Sequence, residues 1–292
     1  MSVFIIVPLI LILVFAFTTT VKFDNTGNRL TNDQAAELIA DWEASGKAGD
    51  FPVKEKFYFT FDNIIQVGNY SSTLINSVIL ASIATVICLF LGYPFAYMVS
   101  RMRVSRQKIM IMFIMLPMWM NFLLRTYAWM TLLEKNGWIN RFLELFGIGP
   151  FEMINTQGAV VLGMIYNFLP YMILPLYSVM TKIDDHTIEA AYDLGANRVK
   201  ALTKVILPLS MPGIASGITM VFVPAVSTFI ISKLLGGGTN MLIGDLIELQ
   251  FLGNTYNPHL GSAISLVLLV FVLLCISVTN QLDSDKTEGV LL

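Results

Sequence analysis

The chain has 292 residues, 55% of them hydrophobic and only 13% charged, with a mean hydropathy of +0.71. That usage excludes an ordinary soluble domain and places the chain in a membrane. A formal net charge of −2 and the lack of any run of five or six like charges leave no basic face for nucleic acid.

A spanning helix needs about 20 mostly apolar residues. Six segments approach that length: 1–18, 74–99, 109–132, 158–180, 212–231 and 260–279. The fold class expected is an all-α membrane protein with six transmembrane helices. Segment 1–18 is short and has the look of a signal-peptide core. It lacks a positive leader, and Thr18-Thr19-Thr20 follows where a small-residue exit would stand, so it is read as a retained first span.

Residues 19–73 form a long acidic segment. Thr31 or Asn32 is placed to cap a short helix through Glu43, with Ala35, Leu38, Ile39 and Trp42 on one face and Gly46 as its stop. Phe57, Phe59 and Phe61 then alternate with Tyr58 and Thr60 as an extended piece. Two roles fit this segment, a cap on the membrane surface or a docking surface for an extracellular partner. Residues 74–280 carry the remaining five spans, and 281–292 form a tail.

Lys and Arg in short loops set orientation. Arg101, Arg103, Arg106 and Lys108 follow the second span, and Lys182, Arg198, Lys200 and Lys204 follow the fourth. The opposite loops hold only Lys135 and Arg141, and Lys233. The richer loops are expected to face the cytoplasm together with both termini, and residues 19–73 to face outward.

Within the spans, Pro117, Pro170, Pro175 and Pro224 are expected to interrupt helices. Arg125 lies about 24 Å from Ile109 at 1.5 Å per residue if the third span is one helix. There it would snorkel to the headgroups, pair with Glu134 or close an outer gate. Cys88 and Cys275 sit singly in apolar runs, and the cluster Met110, Met112, Met115, Met118 and Met120 has no interleaved Cys or His, so packing rather than a metal site is expected. His186 and His259 fall at span edges, and no His-Glu or Ser-His constellation lies in a span. No catalytic residue is expected.

The most distinctive stretch is the polar island between the fourth and fifth spans, residues 184–208. Asp184 and Asp185 suit a helix N-terminus, with Glu189 close behind. Ala190 and Ala191 keep one face smooth enough for close approach. Gly195 is placed to end the helix in a left-handed turn, Asn197 to cap a second helix from Arg198 to Leu207, and Pro208 to stop it. On physical grounds alone, this helix-turn-helix could equally lie on the lipid headgroups.

Glu189-Ala190-Ala191, three residues, Gly195, nine residues, then Val205-x-Leu207-Pro208 resembles the signature of permease subunits of ATP-binding-cassette importers, with Val205 in the usual isoleucine position. The resemblance implies a MetI-like fold whose loop is a coupling helix seated in a groove of an ATPase subunit. Glu189 would make the polar contact, Ala190 and Ala191 the close packing, and Gly195 the turn, with Leu207 and Pro208 completing the motif. A phosphate-cradling loop is absent, because Gly236-Gly237-Gly238 runs on into Thr239-Asn240-Met241 rather than Gly-Lys-Ser/Thr. The expected cofactors, ATP and magnesium, therefore belong to a partner.

Gly92-Tyr93-Pro94-Phe95-Ala96-Tyr97, Leu124 to Trp129, Leu169 to Tyr177, Leu234 to Gly237 and Ile243 to Ile247 are similar to spermidine/putrescine importer permeases, of the type preceding a sister permease. That resemblance covers roughly residues 59–280. It implies a bacterial cytoplasmic-membrane subunit working with a second homologous permease, two ATPases and a substrate-binding protein. Sister families for iron, sulfate or phosphonate share the coupling loop, and a secondary transporter is the competing class. A polycation needs aromatic faces and carboxylates. Tyr93, Tyr97, Asn121, Tyr127, Trp129, Asn167 and Tyr171 are the candidate lining groups, with Asp245 and Glu248 as the acidic pair.

Overall fold

The computed structural model describes residues 2–44, 52–238, 240–253 and 256–289. They fall into two units, residues up to Ser71 with Ile247–Leu269, and Ser72–Leu246 with Val270 onward.

In the first unit, helix α1 (Ser2–Ala16) is apolar, and from Ile6 to Val14 nearly every side chain is exposed. It stops at Ala16 because Thr18-Thr19-Thr20-Val21 is a β-branched run suited to a pleated strand. Strands β1 (Thr18–Asp24), β2 (Arg29–Leu30) and β3 (Val53–Phe59) make an antiparallel sheet in the order β2-β1-β3, with Thr18 opposite Phe59 and Asp24 opposite Val53. The all-α expectation is corrected by this sheet, and the first span by a helix of 15 residues that ends at Ala16 rather than at residue 18. At the β1–β2 turn, Asp24 accepts the N–H groups of Thr26 and Asn28 at 2.9 and 2.7 Å. Hydrogen bonds from the Thr26 side chain first, then the Asn28 backbone, hold its carboxyl below the usual carboxylate range.

Helix α2 (Asn32–Ala44) is capped by Thr31, which accepts from Gln34 N at 3.3 Å while Gln34 Oε1 accepts from Thr31 N at 3.0 Å. Ala35 of α2, Val21 and Val53 are buried. Gly46, the expected stop, lies outside the described residues. His259 is buried in this unit, its Nδ1 donating to the Phe15 carbonyl at 3.2 Å and its Nε2 accepting from the Thr20 hydroxyl at 2.7 Å. Both ring nitrogens are therefore satisfied.

A short helix α3 (Asp62–Val67) leads into α4 (Ser71–Ser100). There follow α5 (Val104–Trp119), α6 (Phe122–Leu133), α7 (Trp138–Glu144), α8 (Gln157–Met180), α9 (Asp185–Asp193) and α10 (Arg198–Ala201). A π-helical turn (Leu202–Ile206) connects to α11 (Leu207–Leu209), α12 (Met211–Ser227), α13 (Ile230–Leu235), α14 (Ile243–Leu252) and α15 (Pro258–Gly289). The expected tail thus continues α15 as helix to Gly289.

Among the described residues, three stretches are long and apolar enough to cross a membrane: Asp62–Ser100, Gln157–Met180 and Pro258–Thr279. Two bent pairs bring the number to five, one folding by 89° between Trp119 and Phe122 and one by 66° between Leu209 and Met211. These stretches account for up to five of the six expected spans, and the first is matched by a shorter apolar helix, Ile6–Ala16. Span 109–132 is broken because Met120 and Asn121 are extended and the Asn121 side chain accepts from Leu123 N at 2.8 Å, starting a new helix. Span 212–231 likewise ends at Ser227, where Thr228 leaves the helical conformation.

The prolines behave differently from expectation. Helices α8 and α12 run through Pro170, Pro175 and Pro224 without a break, and only Pro117 lies beside one. One missing N–H is tolerated where neighbouring helices hold the segment.

Helix α8 is the hub of the second unit, burying Val160, Met164, Met172, Leu176 and Met180 against neighbours that include α12 and α13. A Cβ on Gly163 would stand 2.5 Å from Leu235 Cδ1 and 2.8 Å from Ile231 Cγ2, so α13 approaches α8 only because this position is bare. Gly163→Val is expected to lower thermal stability in detergent by about 1–3 kcal/mol through overpacking. Gly158→Ala is the control, since its Cβ meets only Thr156 Oγ1 at 3.7 Å, and should be neutral or slightly stabilising. Thermal unfolding of both variants checks the contrast.

Candidate functional site

Helix α9 starts where the sequence places it. Asp184 is the N-cap, its side chain accepting from His186 N at 3.0 Å, and Asp185 occupies the first turn. Glu189 is exposed and meets His186 Nδ1 at 3.2 Å, a surface pair of small energetic weight. Ala190 is exposed and Ala191 half-buried, while Ile188 on the opposite face is buried. The outward side therefore ends in a small-residue patch flanked by Tyr192 and by Leu194, which is 90% exposed.

Gly195 has φ +81° and closes the helix, with Ala196 N donating to the Ala191 carbonyl at 3.0 Å. A Cβ there would meet nothing within 4 Å, so the requirement for glycine is conformational rather than steric crowding. Asn197 then caps α10 by accepting from Lys200 N at 2.8 Å.

The second helix departs from expectation at its far end. Pro208 does not stop it. The chain widens into the π-turn at Leu202–Ile206, with Leu207 N donating to the Leu202 carbonyl, and continues through Pro208 to Leu209. The wider turn accommodates a residue that cannot donate. The true stop is Ser210, fully buried, with its hydroxyl donating to the Leu207 carbonyl at 3.0 Å. Leu207 and Pro208 remain exposed.

The α4–α5 turn meets this segment. Arg101 donates from Nη1 to the Ile183 carbonyl at 3.1 Å and to the Asp185 carboxylate, and from Nη2 to the Met180 carbonyl at 3.3 Å. Its guanidinium lies over the Tyr97 ring at 5.8 Å. Gln107 caps the end of α4 by donating to the Ser100 and Met102 carbonyls, and accepts from the Tyr177 hydroxyl of α8 at 2.9 Å. The two connections richest in Lys and Arg thus lie at the same end of the helices. Arg101, Asp185, Ser210 and Gln107 escaped sequence reasoning as contacts because the partners are far apart in the chain, although Arg101 repeats the four-residue spacing of Tyr93 and Tyr97.

The candidate lining residues do not converge on one site. Tyr93 binds Ser210 at 3.0 Å and Tyr97 stacks under Arg101, both beside the α9–α11 segment. Asn121 is spent as the cap of α6. Tyr127 is 48% and Tyr171 40% exposed, and Trp129 packs edge-on against Tyr166 at 5.3 Å. Asn167 is buried and donates to the Gly163 carbonyl of its own helix at 2.9 Å. Asp245 is buried at the start of α14, where it accepts from Leu242 N at 2.7 Å, and Glu248 lies one turn further on and is half-buried. Ile243 N donates to Ser77 Oγ at 2.8 Å, pinning that helix start to α4.

Arg125 is corrected on both counts. It is 8% exposed, with Phe122 beneath it at 5.8 Å, so it neither snorkels outward nor pairs with Glu134, which is exposed. The distance counted from Ile109 fails because the helix folds by 89° before reaching it.

A cavity of about 500 Å³ opens among Ser82, Leu89, Ile218, Phe222, Phe271 and Cys275. Its hydroxyls Ser82, Thr85 and Thr279 each donate to a carbonyl of their own helix and it holds no carboxylate. That chemistry does not suit a cation. Among the described residues, no group of three or more His, Cys, Asp or Glu could hold a metal.

Comparison with known proteins agrees with this geometry. The family model for the binding-protein-dependent transport system inner membrane component matches residues 60–283. The spermidine/putrescine transport system permease protein PotB of Haemophilus influenzae is 40% identical over 239 residues, covering 80% of this chain and 83% of that protein. PotB of Escherichia coli K12 is 37% identical over 240 residues, covering 80% and 87%. Among solved structures, a bacterial ABC transporter involved in the import of the acidic polysaccharide alginate superposes with a TM-score of 0.67 at 16% identity, over 78% of this chain and 84% of that one. A second alginate transporter structure, in complex with a pentasaccharide-bound periplasmic protein, gives 0.66 at 17% identity over 77% and 82%. The chain belongs to the family of binding-protein-dependent transport system inner membrane components.

Proposed function

We propose that this chain is the permease subunit of a polyamine importer of the ATP-binding-cassette class in a bacterial cytoplasmic membrane. It pairs with a second homologous permease and two ATPase subunits and receives spermidine or putrescine from a substrate-binding protein. The observation that carries this reading is the exposed helix-turn-helix from Asp184 to Leu209, presented with Glu189, Ala190 and Leu194 outward. The extent of identity to the two PotB proteins supports polyamine as cargo.

The division of labour follows from chemistry. The chain has no phosphate-cradling loop, so ATP and magnesium are bound by the partner ATPases and no covalent step occurs in this subunit. The α9 segment takes up the ATPase movement. Both basic turns face the cytoplasm under this reading, with the termini on the same side and the sheet-bearing segment outside. Tyr127 and Tyr171 offer open aromatic faces to an alkylammonium group, where each cation–π contact contributes roughly 0.5–2 kcal/mol depending on desolvation. Asp245 and Glu248 supply negative charge near the cargo route. The buried Arg125 guanidinium is a local positive barrier that a polycation must pass at a distance.

Uptake of labelled spermidine and putrescine by proteoliposomes holding the whole complex and its binding protein tests the reading. Polyamine uptake that requires ATP is expected. ATP-driven uptake of sulfate, phosphonate or iron without polyamine uptake would reject the cargo, and polyamine uptake persisting without the ATPases would reject the class.

Two substitutions test the docking segment. Glu189→Lys is expected to leave the membrane level of the protein unchanged and to abolish both ATPase co-purification and uptake. Gly195→Val, forced to φ +81°, should lower uptake about tenfold or more by spoiling the turn, at a strain cost on the order of 1–3 kcal/mol. Normal co-purification and uptake in both variants would contradict the docking role.

A further inference from the structure

Tyr93 and Tyr97 lie four residues apart on one face of the last turns of α4, and Arg101, four residues further on, is the first residue beyond its end. Each is committed to the segment that carries α9 or to a residue that is. At one end, the Ser210 hydroxyl spends its single proton on the Leu207 carbonyl, so the Tyr93 hydroxyl is the donor in the 3.0 Å bond between them. Ser210 is fully buried at the 66° bend between α11 and α12. At the other end, Arg101 grips the last carbonyl of α8, that of Met180, the Ile183 carbonyl in the connection after it, and the first carboxylate of α9. Tyr97 lies between the two anchors, its ring against the guanidinium.

We infer that these residues form a double tether: the C-terminal end of α4 and the residue that directly follows it hold both ends of the coupling segment, at the Asp185 end through Arg101 and at the Ser210 end through Tyr93, so that movement of α9 is delivered to α4 as a unit. The inference rests on the reading that α9 is driven by an ATPase. Tyr93 lies about 10 Å along α4 from its last residue, Ser100, at 1.5 Å per residue, and Arg101 follows directly. A segment held at one end would swing about that end. A segment held at both by the same helix cannot move without carrying it.

The tether also reassigns two residues. Tyr93 and Tyr97 are positioning residues for coupling rather than cargo-lining groups, since the hydroxyl of one and a ring face of the other are already engaged. The guanidinium matters for its shape as well as its charge. Three acceptors in different directions suit a planar fork, and an ammonium group cannot meet them with the same geometry. The Asp185 side chain is 74% exposed, so the ion pair alone contributes little, and the carbonyl bonds supply the grip.

The test uses the complete complex in proteoliposomes and reads cargo transported per ATP hydrolysed. The double variant Tyr93→Phe with Arg101→Gln is expected to retain its ATPase subunits and its ATP hydrolysis. Its transport per ATP should fall about tenfold, with each single change costing less, the range expected when a coupling free energy is lost. The KM for polyamine should stay unchanged.

An unchanged transport-to-ATP ratio would overturn the tether. A raised KM with the ratio intact would overturn it in favour of cargo contact by the two tyrosines, and loss of the ATPase subunits from the variant would overturn it in favour of a docking role for these residues. Should the double variant fail to reach the membrane, Tyr93→Phe and Arg101→Lys, which preserve volume and charge respectively, carry the same measurement. A fall in the ratio supports the tether, and an unchanged ratio in both overturns it. Failure of the wild-type chain to retain ATPase subunits, by contrast, would strike the α9 reading itself.

Discussion

The Arg101 guanidinium joins the end of α4, the last turn of α8 and the first residue of α9 at one point. Much else in the second unit follows from that junction. Helix α8 ends leaving carbonyls without intrahelical donors, as every helix does, and the fork of the residue just beyond α4 reaches one of them, that of Met180, and the Ile183 carbonyl that follows the helix. Because the same fork reaches Asp185, the polar segment starts from a fixed place. The Gly195 turn and Asn197 cap then set its shape, and the π-turn lets the chain run through Pro208 into the next apolar helix.

The division between rigid and available surfaces is consistent with transport driven from outside the chain. Side chains that pin the segment are spent on internal bonds, whereas Glu189, Ala190, Tyr192 and Leu194 are left outward. The broken helices add a second feature of transport proteins. At Met120–Asn121 and near Thr228, backbone leaves the helical conformation within apolar sequence, which membrane proteins tolerate where the segment is covered by protein or lines a cavity. The cargo reading has a different basis. It stands on extensive identity to polyamine permeases and on open aromatic faces, with no single cluster of carboxylates among the described residues to mark a cation site.

Much of the coupling segment was legible in the sequence because its signals are local. Asp184, Gly195 and Asn197 each act within three or four residues of themselves, and each takes the cap or turn its chemistry suits. The broken third span was not legible from hydropathy, which averages over the cap that Asn121 provides. The extended piece at Phe57 to Phe59 was legible from its alternation and is part of β3, but its partner strand was not, for a related reason. Thr18-Thr19-Thr20 reads as the polar end of a span, yet its β-branching selects a strand once β3 is available to pair with it. Contacts such as Arg101 with Asp185 or Tyr93 with Ser210 bring together residues on different helices, and no local pattern announces them. Arg125, counted along an unbroken third span, falls near a boundary only because the count ignores the 89° bend before it.

The account depends on the α9 tip being the place where an ATPase meets this chain. A photo-activatable phenylalanine analogue in place of Leu194, the residue 90% exposed at that tip, tests it most directly in the assembled, transporting complex. Irradiation should yield a covalent adduct between this subunit and the ATPase. An active complex in which position 194 forms adducts only with lipid, and none with the ATPase, would contradict the account.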